Sequence, residues 1–254
     1  MGKHPCEGIV GPNGAGKSTL VKLLLGLKQP WSGTIQMPHN LIMGFLPEIP
    51  SLPRDLTVME FLFDMAIAGG IPTSDSYKNI DILLIKLDLE NYRDQKIGTL
   101  SRGTLQRIVL AQALIHGPNY VILDEPTAGL DPLSRKHMLK LIRHLKDMNI
   151  KVLMSTHILS DIKQVCQRVI SIDNGTLISD IEISSLIQKG KYKVKTSDAK
   201  ILLKYLDGTL ISEHEIIIHT ENPDIIMENL LKHHLPLWSL EPVEEDIYEV
   251  VSGE

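Results

Sequence analysis

The sequence is poor in cysteine, in aromatic residues and in long apolar runs, and each shortage excludes something. Two cysteines among 254 residues, Cys6 and Cys166, cannot build a disulfide framework or a zinc cluster. Reduced thiols are therefore expected, with no metal held through cysteine. Phenylalanine, tryptophan and tyrosine together make up 4% of the chain, which leaves few platforms for stacking single-stranded bases. Lysine and arginine form no visible cluster and the net charge is −5, so no nucleic-acid partner is expected. No apolar stretch approaches the roughly 18–20 residues that a membrane helix needs. The densest, residues 23–27 and 108–115, are short or broken by Gly26 and Gln112. Met1-Gly2 resembles the start of a myristoylation signal, but Cys6 stands where Ser or Thr is wanted, and no signal-peptide apolar region follows. These features predict a cytoplasmic protein that does not span a membrane by itself.

What is present is an ordinary globular mix, 43% hydrophobic and 22% charged, in a length that fits one full domain and an appendage. Apolar runs alternating with helical periods over residues 1–180 predict an α/β domain with a largely parallel sheet. Tyr120 to Leu123 and Lys151 to Ser155 read as buried strands, with Met43 to Leu46 as another. Between Leu56 and Leu89 the pattern turns helical: Phe61 to Ala68 is apolar on most faces, and Ile80, Leu83, Leu84 and Leu87 repeat at helical spacing. A helical subdomain over about 56–117 is expected. Asp131-Pro132 reads as the start of an amphipathic helix whose buried stripe is Met138, Leu141, Ile142 and Leu145. Residues 181–254 form a separate pattern, β-α-β-β-α-β, with helices near 199–206 and 224–233 and a closing helix over 245–251. A small α+β module is expected there.

The strongest local signal is Gly11-Pro12-Asn13-Gly14-Ala15-Gly16-Lys17-Ser18, which fits G-x-x-x-x-G-K-[ST] in full. It follows the apolar pair Ile9-Val10 and precedes Leu20, Leu23, Leu24 and Leu27 at helical spacing, the context a P-loop requires. Its glycines let backbone N–H groups turn inward around phosphate oxygens, and the helix N-terminus adds positive potential. Lys17 would reach the β- and γ-phosphates, Ser18 would ligate Mg²⁺, and Thr19 would support the α-phosphate side. The run Tyr120 to Glu125 supplies the partner: an apolar strand ending in Asp124, suited to hold Mg²⁺ through water, and Glu125, suited to polarise an attacking water.

Together with further motifs, these residues resemble the nucleotide-binding subunit of ATP-binding cassette (ABC) transporters over about residues 5–180. The additional motifs are Leu100-Ser101-Arg102-Gly103-Thr104 with Gln106-Arg107 as the signature segment, Ala128 to Asp131 as the D-loop, and His157 after its strand as the switch histidine. The resemblance implies a P-loop NTPase core with a helical subdomain, binding ATP and Mg²⁺. It implies an ATPase working as a head-to-tail dimer, homo- or heterodimeric, with Ser101 and Gly103 facing the γ-phosphate in trans and Asp131 at the same interface. His157 would contact the γ-phosphate and help orient water with Glu125. A separate transmembrane permease would hold the subunit at the cytoplasmic face, and hydrolysis would drive transport. The stretches Leu46 to Glu48, Asp55 to Val58 and 244–253 resemble the bacterial drug and bacteriocin exporter branch, which implies export.

Three departures from the family pattern carry expectations of their own. Glu48 stands where the family usually has Gln; it would still ligate Mg²⁺ while adding negative charge near the γ-phosphate, which predicts slower hydrolysis. Arg102 and Thr104 replace the usual Gly and Gln, and an arginine there would pair with phosphate in trans or obstruct close backbone approach. Only ten residues precede Gly11 and no aromatic precedes Trp31, so the N-terminus reads as short and adenine lacks its usual stacking partner. Two alternatives stand beside the transporter reading: a catalytically degenerate regulatory subunit, and a cassette ATPase acting on nucleic acid or ribosomes.

Overall fold

The computed structural model describes residues 5–244 and residue 247. The chain divides into two compact units, one ending at Ile181 and the other beginning at Glu182. The first contains β1 (Cys6–Val10), α1 (Lys17–Leu24), β2 (Met43–Leu46), α2 (Val58–Ala68), α3 (Thr73–Lys86), α4 (Arg102–Leu114), β3 (Tyr120–Asp124), α5 (Pro132–His144), β4 (Lys151–Thr156), α6 (Leu159–Val165), β5 (Arg168–Asp173) and β6 (Thr176–Glu182). The six strands form one sheet in the order β2-β3-β4-β1-β5-β6. The pairs β1–β4, β1–β5, β2–β3 and β3–β4 are parallel.

Every residue of β1 and β3 is buried, as expected of parallel strands covered on both faces. Ile9, Ile122 and Leu153 pack with Val21 of α1 on one side of the sheet. The buried carboxylate of β1, Glu7, is answered by Arg168 directly opposite on β5, at 2.8 Å. Arg168 also engages Asp180 on β6, and the β5–β6 connection is Asn174-Gly175, both at positive φ, a short hairpin turn. The parallel register brings the carboxyl ends of β1, β3 and β4 to one edge: Val10 lies opposite Thr156, and Asp124 opposite Ser155. Ligands in open α/β sheets bind at such an edge.

The helical segment begins with a capping box: Thr57 accepts from the Glu60 N–H, and the Glu60 carboxylate accepts from the Thr57 N–H. Ile80, Leu83, Leu84 and Leu87 are all buried, as their spacing predicts. The expected stripe of α5 is buried too, with Leu139 added. In α1 the helix ends at Leu24, short of Leu27, the last residue of the helical spacing, which is exposed beyond Gly26, a glycine in a left-handed conformation.

The second unit contains β7 (Ile187–Thr196), α7 (Ala199–Leu202), β8 (Gly208–Ser212), β9 (Glu215–His219), α8 (Asp224–Lys232) and β10 (Leu237–Glu244). Its four strands pair antiparallel in the order β10-β7-β9-β8. Val194, Ile216 and Ile218 project to one face and pack with Ala199, Leu202, Ile226 and Leu230 of the two helices. The element order is the one expected, although α7 stops at Leu202, four residues short of the predicted helix. Beyond it Tyr205 and Leu206 turn back to the Leu202 carbonyl. The helix expected over 245–251 lies outside the described residues except at Ile247. Among the described residues no helix is long and apolar enough to cross a membrane.

Candidate nucleotide site

The loop from Gly11 to Gly16 joins β1 to α1 and begins at the carboxyl edge of the sheet. Gly14 (φ 87°) and Gly16 (φ 107°) hold conformations that side-chain-bearing residues rarely adopt, so the loop can curl. Gly16 is the N-cap of α1 and offers no side chain to the helix end. The first N–H groups of the helix therefore remain available to an anion. Lys17, only 7% exposed, folds over the loop and donates to the Gly11 carbonyl at 2.7 Å and the Pro12 carbonyl at 3.2 Å. Its ammonium lies 3.7 Å from Glu125 Oε1.

Beside this loop opens a cavity of about 420 Å³ lined by Asn13, Gly14, Gly16, Lys17, Ser18, Thr19, Glu48, Glu125 and His157. Residues far apart in sequence thus meet on one surface. Glu125 and His157 form its far wall, with His157 Nδ1 2.9 Å from Glu125 Oε2. Glu125 sits at φ 49°, a left-handed conformation uncommon for a non-glycine residue. Its N–H is held by both the carbonyl and the hydroxyl of Ser155. Asp124 is buried, is not among the lining residues, and accepts a hydrogen bond from the Ser155 hydroxyl. Glu48 reaches the cavity from the loop after β2 and is exposed.

The donor set fits a nucleotide triphosphate with a hard cation. The residues lining the cavity supply an ammonium, two hydroxyls, a glycine-rich backbone and the carboxylates of Glu48 and Glu125. Among the described residues no three His, Cys, Asp or Glu side chains cluster into a ready metal cage. The oxygen donors among the lining residues, Ser18, Glu48 and Glu125, are of the type a hard cation such as Mg²⁺ takes, alongside waters and the phosphates themselves.

Ser101, Gly103 and Asp131 are not among the residues that line this cavity. Ser101 is the N-cap of α4, accepting from the Thr104 N–H at 3.3 Å. Asp131 caps α5, accepting from the N–H groups of Leu133 and Ser134, both at 3.0 Å. Hydrogen bonds from Ser134, through its hydroxyl and its main chain, together with the Leu133 N–H, hold the Asp131 carboxyl below the ordinary range. The two helix starts touch. A Cβ on Gly103 would lie 2.5 Å from the Ser134 hydroxyl, and Arg102 donates to the Ala128 carbonyl at 2.9 Å, its guanidinium lying over Gly129. Arg107 ties the other face of α4 to the helical segment through the carbonyls of Leu87 and Asp88.

One cluster has no signal in the sequence. Asp161, fully buried on α6 four residues after His157, accepts from Thr127 Oγ1 at 2.6 Å and from Arg135 Nε at 2.8 Å. Thr127 and Arg135 flank the segment Ala128 to Asp131, so a single carboxylate pins that loop at both ends to the helix that follows His157.

Comparison with known proteins agrees with this geometry. The ABC transporter family profile matches residues 3–128. The uncharacterized ABC transporter ATP-binding protein YxlF of Bacillus subtilis is 36% identical over 205 residues, covering 79% of this chain and 69% of that protein. A Nod factor export ATP-binding protein I of Burkholderia pseudomallei is 31% identical over 245 residues, covering 89% and 80%. Among solved structures, cbiO1 of Clostridium perfringens, part of the ABC transporter complex cbiONQ, superposes with a TM-score of 0.63 at 26% identity, covering 70% of this chain and 77% of that one. The chain belongs to the ATP-binding proteins of ABC transporters.

Proposed function

We propose that this chain hydrolyses ATP and couples that reaction to export through a separate transmembrane permease. The observation that carries the reading is the Glu125–His157 pair, 2.9 Å apart, lining one cavity with Lys17, whose ammonium lies 3.7 Å from Glu125. Lys17 and the curled backbone of Gly14 to Ser18 bind and orient the phosphates. Glu125, nearly buried and held by His157, is placed to accept a proton from a water attacking the γ-phosphate. His157, half exposed, faces the same cavity and would contact that phosphate. Ser18, Glu48 and Asp124 would hold Mg²⁺, which when bound supplies neutralisation of charge at the β- and γ-oxygens.

Ser101, Gly103 and Asp131 lie outside the cavity of their own chain, which supports a head-to-tail pair in which each copy completes the site of the other. Export draws its support from the relative described as a Nod factor export protein. The division into an ATP-binding domain of residues 1–180 and an accessory domain of 181–254 belongs to the same reading.

Steady-state Mg²⁺-dependent ATP turnover, measured at several protein concentrations beside Glu125→Gln, tests it. Turnover should rise more than linearly with concentration, and Glu125→Gln should lower it about 100-fold or more. Absence of turnover in both proteins would replace the reading with that of a regulatory nucleotide-binding subunit.

A further inference from the structure

The two cysteines, 160 residues apart in sequence, meet at the amino end of the central strand with their Sγ atoms 3.2 Å apart. Both are free and buried. Their approach is built into the fold. Cys6 and Gly8 alternate onto the same face of β1, and a Cβ on Gly8 would lie 2.3 Å from Ile162 Cδ1 on α6. The missing side chain lets α6 settle close against the strand. Cys166, immediately after α6, is thereby carried to Cys6. The neighbouring residue locks the position: the Cys6 N–H donates to Gln167 Oε1 at 3.0 Å, and the Gln167 N–H donates to the Cys6 carbonyl at 2.9 Å. Neither thiol belongs to the nucleotide cavity, which lies at the opposite end of β1.

The pair is not sealed. A second cavity, of about 180 Å³, is lined by Cys6 together with Arg143, Lys146, Gln164 and Gln167. Cys6 is thus the residue of the pair that borders a space a small polar oxidant can enter, one lined also by Arg143 and Lys146. Cys166 does not line that cavity. Contact with Cys6 and burial push its thiol well above the ordinary range, which keeps it protonated beside its neighbour.

We propose that Cys6 and Cys166 are a peroxide-oxidisable dithiol that closes to an intramolecular disulfide. The Cys6 thiolate attacks one oxygen of hydrogen peroxide, the O–O bond breaks, and a sulfenic acid forms with release of water once the departing hydroxide takes up a proton. The Cys166 sulfur then attacks the Cys6 sulfur, the S–O bond breaks, and a second water leaves with the Cys166 proton. In sum, two thiols and one peroxide give one disulfide and two waters. Reaching a bond of about 2.05 Å requires the two sulfur atoms to close by little more than 1 Å. The bond would join the base of the strand that leads into the phosphate loop to the end of the helix that follows His157.

The test uses the full chain without nucleotide, so it does not depend on turnover. The folded protein is treated with one to a few equivalents of hydrogen peroxide, and free thiols, intact mass and non-reducing gel mobility are read. Titratable thiols should fall from two to none, with loss of the mass of two hydrogen atoms, no disulfide-linked dimer, and full reversal by dithiothreitol. The oxidised form should melt higher by about 5 °C, because a long loop of the unfolded chain is closed. In Cys166→Ser, Cys6 should instead be trapped as a sulfenic acid by dimedone, which the wild type should not be. Survival of both thiols in the folded chain while urea-unfolded protein oxidises would overturn the proposal. So would oxidation that yields only intermolecular dimers or sulfinic acid, and because these readouts come from the wild type they hold whether or not the serine variant folds.

Discussion

The two units of the chain bury different things. Among the described residues, the buried charged and polar side chains lie in the first unit, Glu7, Lys17, Asp124, Glu125, Thr127 and Asp161 among them, whereas the second buries only Thr196. Burying a charge is costly unless it is paired and hydrogen-bonded. Of the buried side chains in the first unit, Lys17, Asp124 and Glu125 lie at or just beyond the carboxyl edge of the sheet, where the nucleotide cavity opens. The second has an aliphatic core of Val, Ile, Leu and Ala, and its ion pairs, such as Lys193–Glu215 and Lys195–Glu215, lie on its surface.

The sharpest break in that contrast comes from removing one partner of a buried pair. Asp161 is fully buried, while the Arg135 side chain is about a third exposed. Arg135→Met would strand a carboxylate in the interior and should cost about 3–5 kcal/mol in urea unfolding. Asp161→Leu leaves an arginine that can still reach water and should cost distinctly less. If the two substitutions cost the same, the burial asymmetry does not govern the pair. If Arg135→Met is neutral, the first unit does not depend on its internal charges.

How much of this arrangement the sequence discloses depends on whether its parts are contiguous. The phosphate loop is legible because eight adjacent residues, an apolar strand before them and a helical period after them report one local structure. Asp124-Glu125 is legible for the same reason, as is the Asp131 cap. The α+β pattern of the second unit could be read because alternation within each strand survives in a small hydrophobic core. Other features are tertiary and leave no spacing to find. The left-handed backbone of Glu125 is imposed by Ser155 on the adjacent strand. The Thr127–Asp161–Arg135 cluster joins residues 34 and 26 positions apart. The meeting of Cys6 and Cys166 depends on a glycine that lets a helix approach. The sequence predicts reduced thiols, and only the packing of α6 on β1 makes them a pair. Leu27 keeps the helical spacing yet lies outside α1, because periodicity extends past the point at which the helix has already ended.

A smaller effect of opposite sign should come from the second unit. Thr196 Oγ1 is buried with no hydrogen-bond partner. Replacing it with the near-isosteric Val removes a desolvated hydroxyl at no loss of shape, so Thr196→Val should stabilise the unit by about 1 kcal/mol. The matching change in the first unit, Thr127→Val, removes the donor that Asp161 Oδ2 uses and should destabilise. The same chemical substitution thus reads out with opposite signs in the two units, in urea unfolding of each variant. Equal signs would erase the distinction drawn from their interiors.

The smallest effect lies on the surface of the second unit. The Lys193 ammonium, 2.8 Å from Glu215 Oε1, holds the Glu215 carboxyl below its ordinary value of 4.5, with Lys195 adding at 3.7 Å. A carboxyl whose folded pKa is depressed contributes stability that is complete above its unfolded pKa and is lost as pH falls through the folded value. The contribution of this pair should therefore fade only in the acid range, below pH 4.5, and leave stability at neutral pH independent of pH. A carbon-detected NMR titration of Glu215 should show a midpoint below 4.5 that moves up toward it in Lys193→Met. Raising the salt to about 1 M, where the Debye length shrinks to about 3 Å, should move it the same way. A midpoint indifferent to both would mean that the lysine ladder of β7 does not act on its neighbour, even where the structure places the charges within hydrogen-bonding distance.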